Sequence, residues 1–332
     1  MDYIRLGRTG LNVSPLCLGT MSMGSSAWKG WVLDEADSVP ILRHALDLGI
    51  NFFDMADWYS LGRNEEVVGR NLLKMRPREQ LVLATKVFYP MSDDPEDRGL
   101  SRKHIAASID RSLQRMGTDY VDLYVIHAFD EHTPIEETMA ALHDTVRAGK
   151  VRYLGASTMY AWQFALMNCA AVRNGWTPFV NMQCQYNVLY REEEREMFPY
   201  CRSQEIAVTT FSPLARGMLA REGQTARTSH DVYQGFYGDD IDREIAARVR
   251  SVAARRGVSM AEVAMAWVVG NPNRSVPIVG ASRTAQLDVA VASLRLQLDA
   301  TERACLEEPY RPRDEINDQN PLRRPRAYAA AT

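Results

Sequence analysis

The chain has 332 residues, of which 46% are hydrophobic, which is enough for a substantial core in one large domain or two ordinary ones. A formal net charge of −3 excludes a strongly basic nucleic-acid-binding surface, and no apolar run approaches the roughly 20 residues that cross a bilayer. The start, Met1–Arg5, has no signal-peptide core, and the five cysteines show no metal-binding spacing. We therefore expect a cytoplasmic protein without metal, nucleic-acid or membrane partners, and homo-oligomerisation stays open.

A hairpin and eight strands are predicted in chain order. Two short strands flank the turn Gly7–Gly10, and a regular alternation of apolar runs and helical patterns follows. The eight apolar runs are Leu16–Leu18, Ile50–Phe53, Leu81–Ala84, Val121–Ile126, Val151–Leu154, Phe179–Met182, Ile206–Phe211 and Val276–Val279. Eight strands alternating with helices indicate an α/β protein, and a closed (β/α)8 TIM barrel is the economical arrangement. A doubly wound open sheet remains the rival, although no G-x-G-x-x-G follows an early strand.

Amphipathic stretches predict the helices between these strands. They include Asp37–Leu48, Ser101–Met116, Pro134–Arg147 and Arg191–Cys201. The longest interval follows the seventh strand and contains a polar loop, Arg221–Asp240, which is a candidate lid, and two helices, Ile241–Arg255 and Met260–Val269. No domain boundary is apparent, so we expect a single domain over residues 1–332, with an irregular tail over 309–332.

Polar side chains follow seven of the eight strands directly or almost directly. They are Asp54, Lys86, His127, Ser157, Gln183, Ser212 and Ser282. Any one of them alone could have a purely structural role, such as a buried ion pair, a solvated strand end or a hydrogen-bonded core histidine. In a β/α barrel, however, the carboxyl ends of the strands converge on one mouth, where active sites form. Seven polar ends in successive units therefore predict a site at that mouth.

The residue types at this mouth favour proton transfer to a carbonyl group. A free tyrosine has a pKa of about 10, and a neighbouring ammonium lowers it, so Lys86 could prepare Tyr59 to act as an acid. Asp54 could hold the lysine, and His127 could hydrogen-bond the carbonyl oxygen. Tyr59 alone could equally be an ordinary loop aromatic. A metal site is disfavoured by the lysine, and a serine hydrolase by the absence of G-x-S-x-G.

Several runs of the sequence resemble the aldo-keto reductases. Asn51–Tyr59 resembles the family's Asp-Thr-Ala-x-x-Tyr signature, Gly117–Leu123 with Ile126-His127 resembles its second signature, and Lys86 matches the third catalytic position. The other matching runs are Gly155–Ser157, Gln183 with Gln185–Asn187, Ser212–Gly217 and Gly280–Arg283. The similarity continues in order to about Leu294. The run Tyr190–Glu196 and other details most resemble the bacterial branch related to the potassium-channel β subunits.

This resemblance implies a (β/α)8 barrel that reduces aldehydes or ketones to alcohols with NADPH. Tyr59 would be the general acid, Lys86 and Asp54 its tuning pair, and His127 the residue that orients the carbonyl. The resemblance also implies that Ser157 and Gln183 hold the nicotinamide carboxamide and that Phe211 stacks on its ring. The other implied cofactor-binding residues are Gly19, Thr20 and Asp54, then Ser212, Pro213, Leu214, Arg216 and Gly217 at the pyrophosphate, and Gly280, Ser282, Arg283 and Gln286 at the adenosine end.

Arg283 is the natural partner for a 2′-phosphate, because a guanidinium can donate two parallel hydrogen bonds to two oxygens of one phosphate. Alternatively, Arg283 could be a solvated cation without a specific partner. A positive charge at the start of a helix, however, opposes the helix dipole, which favours an anionic partner for Arg283. The sequence also departs from the family pattern. Met55 replaces the usual Thr, Thr158 stands where many members have Asn, and Val289-Ala290 replaces a Glu-Asn pair that grips the adenine. The strength of the preference for NADPH over NADH is therefore left open.

Aromatic residues near the strand ends predict one wall of a substrate pocket. These aromatic residues are Trp28, Trp31, Trp58, Phe88, Tyr89 and Phe129, although each alone could simply cap the core. Four of them, Trp28, Trp58, Phe88 and Phe129, are assigned to substrate. Such a wall suits an aryl aldehyde, a keto sugar or a biosynthetic intermediate. The alternative function is an NADP(H)-binding sensor or auxiliary subunit, which the absence of a long N-terminal extension disfavours. A Rossmann-type dehydrogenase is a weaker third reading.

Overall fold

The computed structural model describes residues 1–221, 236–272 and 275–313 and contains a closed barrel of eight parallel strands. The barrel strands are β3 (Cys17–Gly19), β4 (Phe52–Asp54), β5 (Val82–Val87), β6 (Val121–Ile126), β7 (Val151–Ser157), β8 (Phe179–Gln185), β9 (Ala207–Phe211) and β10 (Val276–Gly280). Each strand pairs with the next, and β10 closes the barrel by pairing with both β9 and β3. The (β/α)8 prediction is confirmed, and the open-sheet alternative is excluded.

Helices alternate with these strands around the barrel. They are α1 (Glu35–Asp47), α2 (Arg63–Met75), α3 (Arg102–Met116), α4 (Ile135–Arg147), α5 (Ala161–Asn174), α6 (Met197–Ser203), α7 (Asp240–Arg256), α8 (Met260–Val269), α9 (Thr284–Ser293) and α10 (Ala300–Glu307). The two helices predicted after the seventh barrel strand are α7 and α8. Ser101 accepts a hydrogen bond from the backbone N–H of His104, so its hydroxyl caps the start of α3. Within the described part, no helix is both long and apolar enough to cross a membrane.

One helix boundary differs from the sequence prediction. The stretch Arg191–Cys201 is not a continuous helix, because a short 3₁₀ turn at Glu192–Glu194 precedes α6, which begins only at Met197. Pro199 lies in the first turn of α6, where its missing N–H costs nothing; a longer helix would have placed it in the interior. The helical spacing of the apolar residues was therefore correct, but proline moves the start of the helix.

The N-terminal hairpin covers the amino end of the barrel. Its strands β1 (Ile4–Arg5) and β2 (Asn12–Val13) pair antiparallel, as predicted. Leu6 and Val13 are buried against the side chains that fill the barrel interior, including Phe52. Gly7 has φ +57, and a Cβ there would lie 2.7 Å from the backbone nitrogen of Ala207, so only glycine fits this close approach. With this end covered, the carboxyl-end mouth is the place for a site.

The last described residues cross the carboxyl-end side of the barrel. Arg313 donates to Asp239 and Asp242 at the start of α7, and Tyr310 donates to Glu192. Residues 309–313 form no helix or strand, as predicted for the beginning of the tail. Most of the proposed lid (222–235) and the rest of the tail (314–332) lie outside the described residues.

Candidate active site

Lys86 lies at the centre of a buried cluster at the carboxyl-end mouth. It comes from β5, and its ammonium donates to Asp54 Oδ2 at 2.6 Å, to the Met55 carbonyl at 2.9 Å and to the Tyr59 hydroxyl at 3.1 Å. The three hydrogens of the ammonium therefore have one acceptor each. Asp54 ends β4 and Tyr59 begins the 3₁₀ turn that follows, so neighbouring strands bring these groups together.

Electrostatics keep this lysine charged and the nearby histidine neutral. Burial alone would lower the pKa of Lys86, but the charge of Asp54 and the hydrogen bonds to Asp54 and Tyr59 outweigh it and raise the pKa. His127 follows β6, and its ring centre lies 5.7 Å from that of Tyr59. Burial, with a smaller contribution from the Lys86 charge, holds the pKa of His127 well below its ordinary value. A neutral imidazole beside a permanent ammonium is therefore the resting arrangement.

The second oxygen of Asp54 is bound as well. Gln183, near the end of β8, donates to Asp54 Oδ1 at 3.0 Å. Thr20 is fully buried, and both its hydroxyl and its N–H donate to the Asp54 carbonyl. Asn64 in turn donates to the carbonyls of Thr20 and Met23. The structure thus places Gln183 and Thr20 around Asp54. Asn64, which no sequence pattern indicated, fixes the first β/α loop beside them.

A second carboxylate is buried directly behind the site. Asp57 accepts hydrogen bonds from the Trp58 N–H at 2.6 Å and the Ser108 hydroxyl at 2.9 Å. Burial, helped by the charge of Glu65, raises the pKa of Asp57 to about 7, and Ser108, Trp58 and Arg115 oppose that rise. The sequence analysis missed this residue; a carboxylate two positions before Tyr59 was the available signal.

Aromatic rings line a path outward from His127. Tyr89 lies 4.7 Å from His127 between ring centres, Trp58 lies 4.8 Å from Tyr89, and Trp28 lies 5.1 Å from Trp58. Of the four residues assigned to substrate, Trp28 and Trp58 belong to this path. The other two lie beside it: Phe88 packs edge-on against Tyr89, and Phe129 pairs with Trp162. Tyr89 is the ring that directly faces His127; the sequence places it in the predicted aromatic wall, but it is not one of the four residues assigned to substrate.

Left-handed backbone is concentrated at the same mouth. In the part of the chain that the structure describes, the residues other than glycine with positive φ are Ser60, Leu61, Thr158, Glu205, Ser212, Ala215 and Arg216. All except Glu205 lie in loops after barrel strands. Such conformations cost on the order of 1–3 kcal/mol each and persist mainly at functional sites. Their location supports ligand binding by the loops after β4, β7 and β9.

The loop after β9 contains the residues expected to bind a pyrophosphate. Pro213 is buried, and Leu214 packs against the core, whereas Ser212, Arg216 and Gly217 are half-buried. The Ser212 carbonyl accepts a hydrogen bond from Asn187, whose amide also donates to Tyr237. The preceding residue, Phe211, is half-buried at the end of β9. The Asn187–Tyr237 contact was not anticipated, because the two residues are fifty positions apart.

The start of α9 presents backbone donors. Gln286 accepts from the N–H groups of Ser282 and Arg283 at 2.8 and 3.1 Å, and both residues are exposed. Gly280, which ends β10, has open space where a Cβ would lie, and Gly19 is buried on the adjacent strand β3. An anion here would compete with the Gln286 oxygen for the same N–H groups.

The structure shows the surroundings of two departures from the family pattern, Thr158 and the pair Val289-Ala290. Ser157 lies within 3.1 Å of the Thr158 hydroxyl, and Thr158 has φ +49. Asparagine adopts this left-handed conformation more readily than a β-branched residue such as threonine. This preference explains why many family members have Asn at the position of Thr158. Ala290 is buried, so it packs in the core rather than presenting a polar group, and Val289 is half-buried.

Comparisons with known proteins agree with this geometry. The family model described as the Aldo/keto reductase family matches residues 15–310. The chain is 42% identical to versiconal hemiacetal acetate reductase from Aspergillus parasiticus, over 94% of this chain and 98% of that protein. It is 39% identical to the putative aryl-alcohol dehydrogenase AAD16 from Saccharomyces cerevisiae, over the same shares of the two chains.

A third relative, the aldo-keto reductase AMT2 from Alternaria alternata, is 42% identical over 93% of this chain and 91% of that protein. The family match spans the barrel strands and every residue of the Lys86 cluster. An enzyme of this kind is an oxidoreductase that acts on carbonyl and alcohol groups. The chain belongs to the aldo/keto reductase family.

Proposed function

We propose that this enzyme uses NADPH to reduce an aldehyde or ketone to an alcohol, with Tyr59 as the general acid. The observation that carries the proposal is the fully buried Lys86 ammonium, hydrogen-bonded at once to Tyr59 and Asp54. A permanent positive charge 3.1 Å from a phenol stabilises the phenolate that remains after the proton has left. Tyr59 lies at the carboxyl-end mouth and is 8% exposed, and we propose that its hydroxyl meets the substrate there.

Each residue of the cluster has a separate part in the proposed reaction. The carbonyl oxygen accepts hydrogen bonds from Tyr59 and His127, and Tyr59 transfers its proton to that oxygen as the alcohol forms. His127 suits this part because it is neutral, and its buried Nδ1 has no hydrogen-bond partner among the described residues. Asp54 holds Lys86 against Tyr59, and Gln183 fixes Asp54.

The residues at the mouth fit a phosphorylated dinucleotide. When bound, NADPH supplies the hydride. Ser212, Arg216 and Gly217 lie in the left-handed loop after β9, where close backbone approach favours a pyrophosphate. Ser282 and Arg283 offer N–H groups and a guanidinium at the start of α9 for a 2′-phosphate. Ser157 and Gln183 would bind the carboxamide, and Phe211 would stack on the nicotinamide ring.

An aryl carbonyl compound is the substrate class that we propose. The ring path from His127 through Tyr89 and Trp58 to Trp28 offers flat apolar surface over the length of an aromatic substrate. The names of two relatives refer to versiconal hemiacetal acetate and to aryl alcohols, which agrees with this class. Keto sugars and other biosynthetic intermediates remain substrates to be assayed beside aryl aldehydes.

Three narrower statements stay predictions. Membership of the bacterial branch similar to the potassium-channel β subunits rests on the sequence resemblance around Tyr190–Glu196, and the relatives named above are fungal. A cytoplasmic location rests on sequence composition, and a homo-oligomer is an open possibility for solution measurements. The sensor function is the competing proposal for the same site, and it would require cofactor binding without turnover.

The proposal is tested by mixing the protein, NADPH and an aryl aldehyde and following absorbance at the reduced nicotinamide band. Steady consumption of NADPH is the expected result. A single event stoichiometric with the protein would favour the sensor, and a panel of carbonyl compounds in the same assay would define the substrate class.

Tyr59→Phe is the sharpest variant for this assay. Removing only the transferable proton should lower kcat by roughly 10²–10⁴-fold, because general acid catalysis is typically worth that much. Binding of NADPH, followed by fluorescence quenching, should be nearly unchanged. A variant that keeps more than half of the wild-type kcat would rule out Tyr59 as the acid.

A further inference from the structure

We propose that Tyr237 and Arg313 are positioning residues for the bound dinucleotide, because together they fix the loop after β9 on which the pyrophosphate would lie. The inference rests on the proposed function and deepens it, since it names residues that control how tightly the cofactor is held and how fast it leaves. Tyr237 lies just before α7, and Arg313 lies in the irregular segment after α10.

The amide of Asn187 joins two parts of the chain that are far apart in sequence. Asn187 follows β8 and is fully buried. Its amide nitrogen donates to the carbonyl of Ser212, directly after β9, at 2.9 Å and to the hydroxyl of Tyr237 at 2.9 Å. Its amide oxygen accepts from the N–H of Leu189. Both donor hydrogens of the amide are thereby used, so the positions of Ser212 and Tyr237 depend on each other.

The carbonyl that Asn187 holds belongs to a residue with left-handed backbone. Ser212 has φ +54, and Ala215 and Arg216 in the same loop also have positive φ. Such conformations persist only where the surrounding contacts hold them. Ser212 is the first of the residues expected at the pyrophosphate, so its contact with Asn187 fixes where that loop leaves the barrel. A loop that is already in place loses less conformational freedom when the ligand arrives, which favours binding.

Tyr237 connects this loop to the end of β8 as well. Its hydroxyl also accepts from Gln185 at 2.5 Å, and Gln185 is the last residue of that strand. Burial raises the pKa of Tyr237, although the hydrogen bond from Asn187 and the charge of Arg216 oppose the rise. The hydroxyl therefore stays neutral and adds no negative charge beside a loop that would bind an anion.

Arg313 holds the segment that carries Tyr237. Its guanidinium lies 5.9 Å from the ring centre of Tyr237 and donates to the Leu189 carbonyl at 3.1 Å, to Asp239 at 2.9 Å and to Asp242 at 3.2 Å. The Arg313 side chain is 17% exposed, and partly buried ion pairs are screened much less than exposed ones. One guanidinium thus joins the loop after β8 to the start of α7, with Tyr237 beside it.

The first experiment removes only the hydroxyl, with Tyr237→Phe. Binding of NADPH should weaken about three- to tenfold, as the loss of one buried hydrogen-bonding group allows, and binding of NADH by the same factor, because both contain the pyrophosphate. The dissociation rate of NADPH, followed by stopped-flow fluorescence, should rise accordingly. Binding of adenosine 2′-monophosphate, measured by calorimetry, should not change, because this ligand has no pyrophosphate. An equal loss for all three ligands would mean general damage to the site and would overturn the positioning role.

The second experiment tests whether Arg313 acts through the same contact. Arg313→Met should weaken NADPH in the same way as Tyr237→Phe, and Arg313→Lys should restore part of the loss, because it keeps the charge but not the planar fork. The double variant Tyr237→Phe/Arg313→Met should bind NADPH about as weakly as the weaker of the two single variants. Fully additive losses would mean that the two residues act independently, and would overturn their joint role.

Each variant has a matched control in the chain. Arg311→Met removes an exposed guanidinium of the same segment, which donates to the carbonyls of Glu308 and Tyr310. Tyr3→Phe removes a hydroxyl that donates to the Gly49 carbonyl, next to the N-terminal hairpin. Both controls should bind NADPH like the wild type, and thermal unfolding of every variant would show that folded protein is being compared.

The outcomes also separate this inference from the proposed function. Unchanged NADPH binding by Tyr237→Phe and Arg313→Met, in an enzyme whose wild type reduces aldehydes, would overturn this inference alone. NADPH binding without turnover by the wild type would overturn the proposed reduction, and the binding measurements would still decide the role of Tyr237. Absence of NADPH binding by the wild type would overturn both.

Discussion

Lys86 is the residue on which the candidate site depends most, because Asp54 and Tyr59 both rely on its charge. Lys86→Met should abolish turnover, since the phenolate of Tyr59 loses the charge that stabilises it. The free energy of unfolding of the variant should also be lower by about 3–5 kcal/mol, because Asp54 is left buried without its cation. Steady-state kinetics and thermal unfolding measure the two effects.

The double variant Asp54→Asn/Lys86→Met is the control for that prediction. It removes the buried carboxylate together with the lysine, so it should recover much of the lost stability while staying inactive. An active and equally stable Lys86→Met enzyme would mean that the contact between Lys86 and Tyr59 does not matter for either property.

Asp57 provides a pH-dependent prediction at the same scale. Burial and Glu65 raise its pKa from 3.8 to about 7, so the folded protein holds this proton more tightly than the unfolded chain. The contribution of Asp57 to stability should therefore decline as pH rises from about 4 to about 7, and the ionised group should be destabilising above that range. Asp57→Asn should be more stable than the wild type by about 2 kcal/mol at pH 8, with a smaller gain at pH 5.

Urea unfolding of the wild type and of Asp57→Asn at pH 5 and pH 8 would test whether the gain in stability is larger at the higher pH. Asp47→Asn is a suitable control, because the Asp47 side chain is 61% exposed and its removal should shift stability equally at both pH values. A gain for Asp57→Asn that is larger at pH 5 than at pH 8 would contradict the raised pKa.

At the scale of elements, the proposed preference for NADPH depends on the start of α9. Arg283→Ala should weaken NADPH binding about ten- to a hundredfold and hardly change NADH binding, because only NADPH has the phosphate that the guanidinium would contact. Because Ala290 is buried and Val289 is apolar, the adenine end offers little compensation, which makes the phosphate contact more important here.

Fluorescence titration of both cofactors against wild type and variant would measure this effect, with Arg295→Ala as a control for loss of an exposed arginine just after α9. Equal losses for NADPH and NADH would refute the phosphate contact. Tighter binding of NADH than of NADPH by the wild type would overturn the assignment of the cofactor.

The elements also show why some boundaries were predictable. Strands such as Val121–Ile126 stand out because they are mostly apolar and buried along their whole length, as expected when both faces are covered. The start of α6 was not predictable from apolar spacing, because Pro199 and the tertiary contacts of the preceding turn decide it: Glu192 accepts from Tyr310, and Glu194 from Tyr186. Tyr310 is 118 residues away from Glu192, so no local pattern announces that contact.

For the whole molecule, the barrel could be predicted because it repeats one local pattern eight times. The residues at the mouth could be anticipated as well, since Asp54, Lys86 and His127 each lie at or just after the carboxyl end of a strand, and the topology alone brings strand ends together. Contacts that depend on loop shape could not. Asn64 reaches back to Thr20 and Met23, and Tyr237 meets Asn187, through backbone courses that no periodicity describes.

The complete burial of Lys86 also makes it a chemical reporter of the folded state. Reagents that acylate amines need a neutral and accessible nitrogen, and the raised pKa and burial of Lys86 deny them both. The other lysines, at positions 29, 74, 103 and 150, are exposed or half-buried. Labelling at those positions should proceed in the native protein, whereas labelling of Lys86 should follow the rate at which the barrel opens. Mass spectrometry of a single peptide would then record how often the enzyme unfolds.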